Sequence, residues 1–179
     1  MRSQLVLTLI GRDRPGLVEA LAAEVARHGG NWEESRMARL AGHFAGILRV
    51  SAESAAAQTL ASSLSALTHE GLKVMVESAE PEATRGAERR MRIELMGNDR
   101  EGIVRDLART LSLRKVNVEE LETSCEAAPM AGGTLFRASA VVQVPSDVSA
   151  DDLRGALEAL ADDLMVELSL GDVAHEPKR

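Results

Sequence analysis

The sequence predicts an α+β protein built from two consecutive strand–helix–strand–strand–helix–strand units, each an antiparallel sheet with both helices on one face. Three observations carry this. Residues 9–34 and 95–120, at a constant offset of 86, share 11 identities in 26 positions, where average residue usage alone would give roughly one or two. Both copies pass through the same order of hydrophobic periods. Both also place a glycine-flanked loop between the first strand and the first helix: Gly11-Arg12-Asp13-Arg14-Pro15-Gly16 and Gly97-Asn98-Asp99-Arg100-Glu101-Gly102.

Leu5, Leu7 and Leu9 alternate as a strand does, and so do Met91, Ile93 and Leu95. The period then changes. Leu17, Val18, Leu21, Ala22 and Val25 make one helical stripe, repeated by Ile103, Val104, Leu107, Ala108 and Leu111. Gly11 lets the chain turn sharply, Pro15 suits a first helical turn, and Asp13 is placed to help cap it. Gly29-Gly30 ends the first helix. Two strands follow in each copy, over residues 31–41 and 43–51, then 116–125 and 134–145, with Ala41-Gly42 as a tight-turn signal. A second helix carries Leu60, Leu64 and Leu67 in the first copy and Leu153, Leu157 and Leu160 in the second, which opens on Asp151-Asp152. Alternating strands close both copies: Leu72, Val74, Val76, then Leu164, Val166, Leu168, Leu170. The order predicts two ferredoxin-like (βαββαβ) domains in tandem.

The first domain spans residues 1–79, a polar linker 80–90, the second domain 91–172 and a frayed tail 173–179. Phe44 answers Phe136 at an offset of 92, so the second copy carries extra residues, placed within 126–133. A net charge of −7 and an aromatic content of 2% argue against direct nucleic-acid binding, since phosphates would be repelled and rings for base stacking are few. Cys125 stands alone, so neither an internal disulfide nor a cysteine zinc cage forms. His28, His43, His69 and His175 have no ligand spacing, and no metal or cofactor is expected. The apolar run at residues 5–10 is too short for a signal core or a membrane span, and a soluble cytoplasmic protein is expected.

The two loops carry the chemistry. A helix N-terminus offers unpaired N–H groups and a positive dipole end to a small carboxylate, while an aspartate beside it can hold an ammonium group. Gly16 lets a ligand approach the backbone. Asn31 and Asn117 open the second strands with amides that donate and accept at once. The competing reading is structural: a glycine turn with a capping aspartate, and asparagines leaving a helix. Glu33-Glu34 and Glu119-Glu120 recur either as solvated strand-edge pairs or as a contact for a cation or ammonium group, and Trp32 is either a core anchor or an interface ring.

The loop GRDRPGLV, the helix after it and Gly-Gly-Asn entering the second strand resemble the ACT domain, a family of small βαββαβ regulatory modules that commonly bind amino acids. The likeness extends over most of the chain, with Glu101 standing where a proline is usual. It implies a ligand held between the first loop of one module and the second strand of a neighbour. The residues so marked are Arg12, Asp13, Gly16 and Asn31 in the first copy, and Asn98, Asp99, Gly102 and Asn117 in the second. The resemblance further implies a non-enzymatic sensor of glycine or a similar amino acid. Such a sensor would regulate transcription of glycine cleavage genes by contact with a LysR-type activator, and its free sheet edges offer a route to a homodimer. Two alternatives stand beside it: a ligand-free interaction module, and a small enzyme of the acylphosphatase type with Arg12 or Arg14 acting beside Asn31.

Overall fold

A computed structural model describes residues 1–79, 88–127 and 133–173. The chain divides into two compact units, Met1–Glu82 and Ala83–Arg179. The first contains β1 (Arg2–Arg12), α1 (Leu17–Arg27), β2 (Asn31–Leu40), β3 (His43–Glu53), α2 (Ser54–Ala66), a 3-10 turn (Leu67–Glu70) and β4 (Leu72–Ser78). The second contains β5 (Arg89–Asn98), α3 (Ile103–Ser112), β6 (Asn117–Ala127), β7 (Thr134–Val144), α4 (Ala150–Leu164) and β8 (Val166–Asp172). The sheets run β2-β3-β1-β4 and β6-β7-β5-β8, antiparallel throughout. This is the ferredoxin-like order, present twice.

Alternation decides which face is dry. Leu5, Leu7 and Leu9 of β1 bury with Leu48, Val50 and Ala52 of β3 and Leu72 and Val74 of β4 under Leu17, Leu21 and Val25 of α1 and Leu60 and Leu64 of α2. The second core repeats this with Met91, Ile93, Leu95, Ile103, Leu107, Leu111, Leu153 and Leu157. Trp32 packs partly buried against the first core, which makes it a core anchor in its own unit.

Turn chemistry follows the residues. Ala41 and Gly42 both have positive φ, 48° and 77°, as a two-residue hairpin turn requires. Gly29 (φ 65°) closes α1, and the Gly30 N–H reaches the Val25 carbonyl at 2.9 Å. Lys115 (φ 58°) takes that place after α3, and the Val116 N–H bonds the Leu111 carbonyl at 3.1 Å.

Several expectations need correction. Pro15 lies before α1 rather than inside it, because Gly16 is the N-cap. Gly11 is a paired strand residue, opposite Phe44 and Leu72, and the sharp turn comes later. Leu164 ends α4, and Met165 reverses the chain in the left-handed region before β8 begins at Val166. Arg89 and Arg90 belong to β5, so the strand starts inside the stretch read as linker. Residues 80–87, the insertion over 128–132 and the tail over 174–179 lie outside the described residues.

Candidate functional site

The first loop leaves β1 at Arg12 and enters α1 through Gly16, whose φ of 90° puts it in the left-handed region. No side chain caps the helix; the first helical bond runs from the Ala20 N–H to the Gly16 carbonyl at 2.9 Å. The N–H groups of the first turn therefore face outward without an intrahelical acceptor. The cap expected from Asp13 is absent, because its carboxylate turns sideways to Arg39 on β2, with Nε 2.6 Å from Oδ2. The Asp13 N–H also binds the Gly42 carbonyl at 3.0 Å, tying the loop to the β2–β3 hairpin. A shallow hollow of about 180 Å³ opens here, lined by Asp13, Arg14, Gly16, Leu17, Val18, Glu19 and Phe44. Donors, a carboxylate and an apolar wall thus meet at one helix end.

The second loop repeats the backbone. Gly102 (φ 93°) is the N-cap of α3, again without a side-chain cap, and the Asp99 N–H binds the Thr134 carbonyl at 2.8 Å. The charges differ. Among the described residues Asp99 has no ion-pair partner, whereas Arg105 Nε donates to Asp106 Oδ1 at 2.9 Å inside the first turn of α3. That hydrogen bond, joined by the attraction of Arg105, Arg100 and Arg109, holds the Asp106 carboxyl below its ordinary value against a smaller opposing effect of desolvation. A hollow of about 400 Å³ near this loop is lined by Met96, Gly97, Asn98, Leu135, Met165, Val166 and Glu167.

Of the first-copy residues singled out from the sequence, Asp13 and Gly16 line the hollow, while Arg12 ends β1 as an exposed residue opposite His43. Of the second-copy residues only Asn98 lines the hollow near its loop. Asn31 and Asn117 stand elsewhere in their own units. Asn31 pairs across with Ser51, and Ser51 with Gln4, whereas the loop end of the sheet is marked by the Gly11–Phe44 and Phe44–Arg39 pairs. Seven strand residues separate the two rows, roughly 23 Å at the usual rise. Asn117, opposite Gln143, is placed likewise. Within the unit neither Arg12 nor Arg14 reaches Asn31, so one unit alone does not assemble the acylphosphatase pair.

The sequence reading missed Val18 as a wall of the first hollow, the exposure of its counterpart Val104, and Arg39 as the partner of Asp13. Val18 is 46% exposed and Val104 39%, although both sit on the stripe read as core. Their recurrence beside each glycine was the available signal. Arg39 gave none, since nothing in the second copy repeats it. The glutamate pairs also behave differently from simple strand alternation. A bulge at Glu33 and another at Glu119 bring both members of each pair to one arginine. Arg49 lies 3.3 and 3.1 Å from Glu33 and Glu34, and Arg90 lies 2.7 and 3.7 Å from Glu119 and Glu120. No group of three or more metal-ligating side chains occurs among the described residues, and no helix there is long and apolar enough to cross a membrane.

Residues 3–77 match the ACT domain family. No match is found among curated protein sequences. An unknown protein from Galdieria sulphuraria, known from its crystal structure, is 29% identical with a TM-score of 0.87 over 97% of this chain and 100% of its own. A crystal structure described as a "putative glycine cleavage system transcriptional repressor" is 20% identical with a TM-score of 0.73, over 98% of this chain and 99% of its own. That likeness shows a shared two-unit fold.

Proposed function

We propose that this chain, an ACT domain over residues 3–77 followed by a second unit of the same fold, is a regulatory protein that binds a small amino acid and reports it to a protein partner. One observation carries the reading. The α1 N-terminus has no side-chain cap and opens beside the Asp13 carboxylate on a hollow of about 180 Å³. Free helix N–H groups suit the ligand carboxylate, and Asp13 suits its ammonium group. Gly16 keeps the approach clear and Arg12 supplies nearby positive charge. Asn98, Asp99 and Gly102 form the corresponding set in the second unit. Asn31 and Asn117, at the far ends of their own sheets, serve such a loop only when another module presents them.

Glycine is the ligand we favour, on the strength of the name carried by the two-unit protein of similar fold. The same name supports a role in transcriptional control of glycine cleavage genes in the cytoplasm. The resemblance to regulatory ACT modules suggests contact with a DNA-binding activator of the LysR type, and a chain of net charge −7 is itself poorly suited to hold DNA. Coupling follows from linkage: ligand at a hundred times its dissociation constant stabilises the arrangement it prefers by about 2.7 kcal/mol, and a partner that prefers the same arrangement binds better.

Calorimetric titration of the full chain with glycine, alanine and serine tests this. Saturable binding at millimolar concentration is expected, weakened by Asp13→Ala. No heat from any amino acid would overturn the reading and leave a ligand-free interaction module.

A further inference from the structure

The two loops share a backbone and differ in their ion pairs: Asp13 is held by Arg39 on β2, whereas in the second unit Arg105 pairs with Asp106 inside the first turn of α3. Arg39 lies opposite Phe44, and Phe44 opposite Gly11; Cys125 lies opposite Phe136, and Phe136 opposite Gly97. Arg39 and Cys125 therefore hold the same place in their sheets, on the strand two removed from the loop glycine. Only the arginine reaches the loop, with Nε 2.6 Å from Asp13. Cys125 has no charge to offer Asp99, and no other ion pair engages Asp99 among the described residues.

We propose that Arg39 is a built-in competitor at the first loop: its guanidinium occupies the face of Asp13 that a ligand's ammonium group takes. This rests on the amino-acid-binding reading above. The first loop then takes ligand by exchange with Arg39 and binds more weakly, while the second loop, lacking the competitor, fills first. Exposure sets the size of the effect. The Arg39 side chain is 68% exposed and that of Asp13 34%, so the pair is a solvated one and easily exchanged. An exposed pair of this kind shifts an affinity by about two- to fivefold. The arrangement gives one chain two thresholds for one ligand, and so a response spread over a wider range of concentration than two identical sites give.

The test is calorimetry on the full chain with glycine, alanine and serine as probes, comparing wild type, Arg39→Met and Cys125→Arg. Both positions lie on exposed edge strands, and circular dichroism melts confirm that each variant folds. Two affinity classes are expected in the wild type. Arg39→Met tightens the weaker class by about two- to fivefold, and Cys125→Arg weakens the stronger by a similar factor. Binding with a weaker class that Arg39→Met leaves unchanged or loosens would overturn the competitor while sparing amino-acid recognition. Absence of binding in all three proteins would overturn both.

Discussion

A Cβ on Gly11 would stand 2.7 Å from the carbonyl oxygen of Gly71, closer than real side chains approach a backbone. The glycine at the end of β1 is required by the entry of β4 beside it, and its counterpart Gly97 meets the Val166 side chain in the same way. Gly16 is constrained differently. Around it a Cβ would meet only the Glu19 carboxylate at 3.9 Å, but its φ of 90° disfavours any L side chain. Gly11→Ala should therefore cost about 1–3 kcal/mol through overpacking. Gly16→Ala should cost about 1–2 kcal/mol through backbone strain. Asparagine, which tolerates the left-handed region, should recover part of the loss at residue 16 but none at residue 11. Urea unfolding measures all four variants, and equal behaviour of the two asparagine variants would contradict the distinction.

The Glu24 carboxylate, 6% exposed, is held from two helices. Ser63 of α2 donates its hydroxyl to Oε1, Arg27 lies 2.7 Å from Oε2, and His28 Nδ1 lies 3.4 Å from Oε1. A buried carboxylate that loses one of its donors is left with an oxygen only partly compensated for desolvation, so Ser63→Ala should cost about 1–3 kcal/mol. In the Glu24→Leu background the same serine change should cost far less, because no carboxylate is left to satisfy. A double-mutant cycle on thermal or urea unfolding reads the coupling. Additive effects would mean that the serine acts independently of Glu24.

Val18 and Leu21 sit one helical turn apart and should respond in opposite ways. Leu21 is fully buried, and Leu21→Ala should lose about 2–5 kcal/mol of stability. Val18 is exposed on the wall of the hollow, and Val18→Ser should change stability by less than about 0.5 kcal/mol while weakening amino-acid binding. Unfolding and calorimetry on the same preparations separate the two. A large stability loss in Val18→Ser would place Val18 in the core after all.

The repeat and the alternating leucines made the topology legible, because buried strand faces and helix stripes leave periods that survive in a single sequence. Gly29-Gly30 and Ala41-Gly42 were readable for the same local reason: positive φ selects residue type. Gly11 was misassigned because its constraint comes from Gly71, sixty residues away. Pro15 shifted by one turn because Gly16, rather than Asp13, opens the helix. Asp13 itself was correctly placed at the loop, yet its partner Arg39 is joined to it only by the fold of the hairpin. The bulges at Glu33 and Glu119 likewise escaped a reading based on strict alternation. What remained hidden depends on contacts between distant segments, where one sequence carries no period to follow.

Asp106 gives a prediction that acid can test. Its carboxyl lies below the ordinary aspartate range, chiefly because Arg105 donates a hydrogen bond to it, with further lowering from the charges of Arg105, Arg100 and Arg109. The favoured state of a group with a depressed folded pKa is the ionised one. Its contribution to stability is therefore complete above the unfolded value, about 3.9 for aspartate, and is lost as pH falls through the folded value. Carboxyl carbon NMR across an acid titration should show Asp106 protonating below the ordinary aspartate range. Arg105→Met should raise that midpoint most of the way back, and Arg100→Met or Arg109→Met should raise it less, since they act through space without a hydrogen bond. An unmoved midpoint in Arg105→Met would assign the depression to the helix N-terminus, where the same unpaired N–H groups would then be satisfied by Asp106 and closed to a ligand carboxylate.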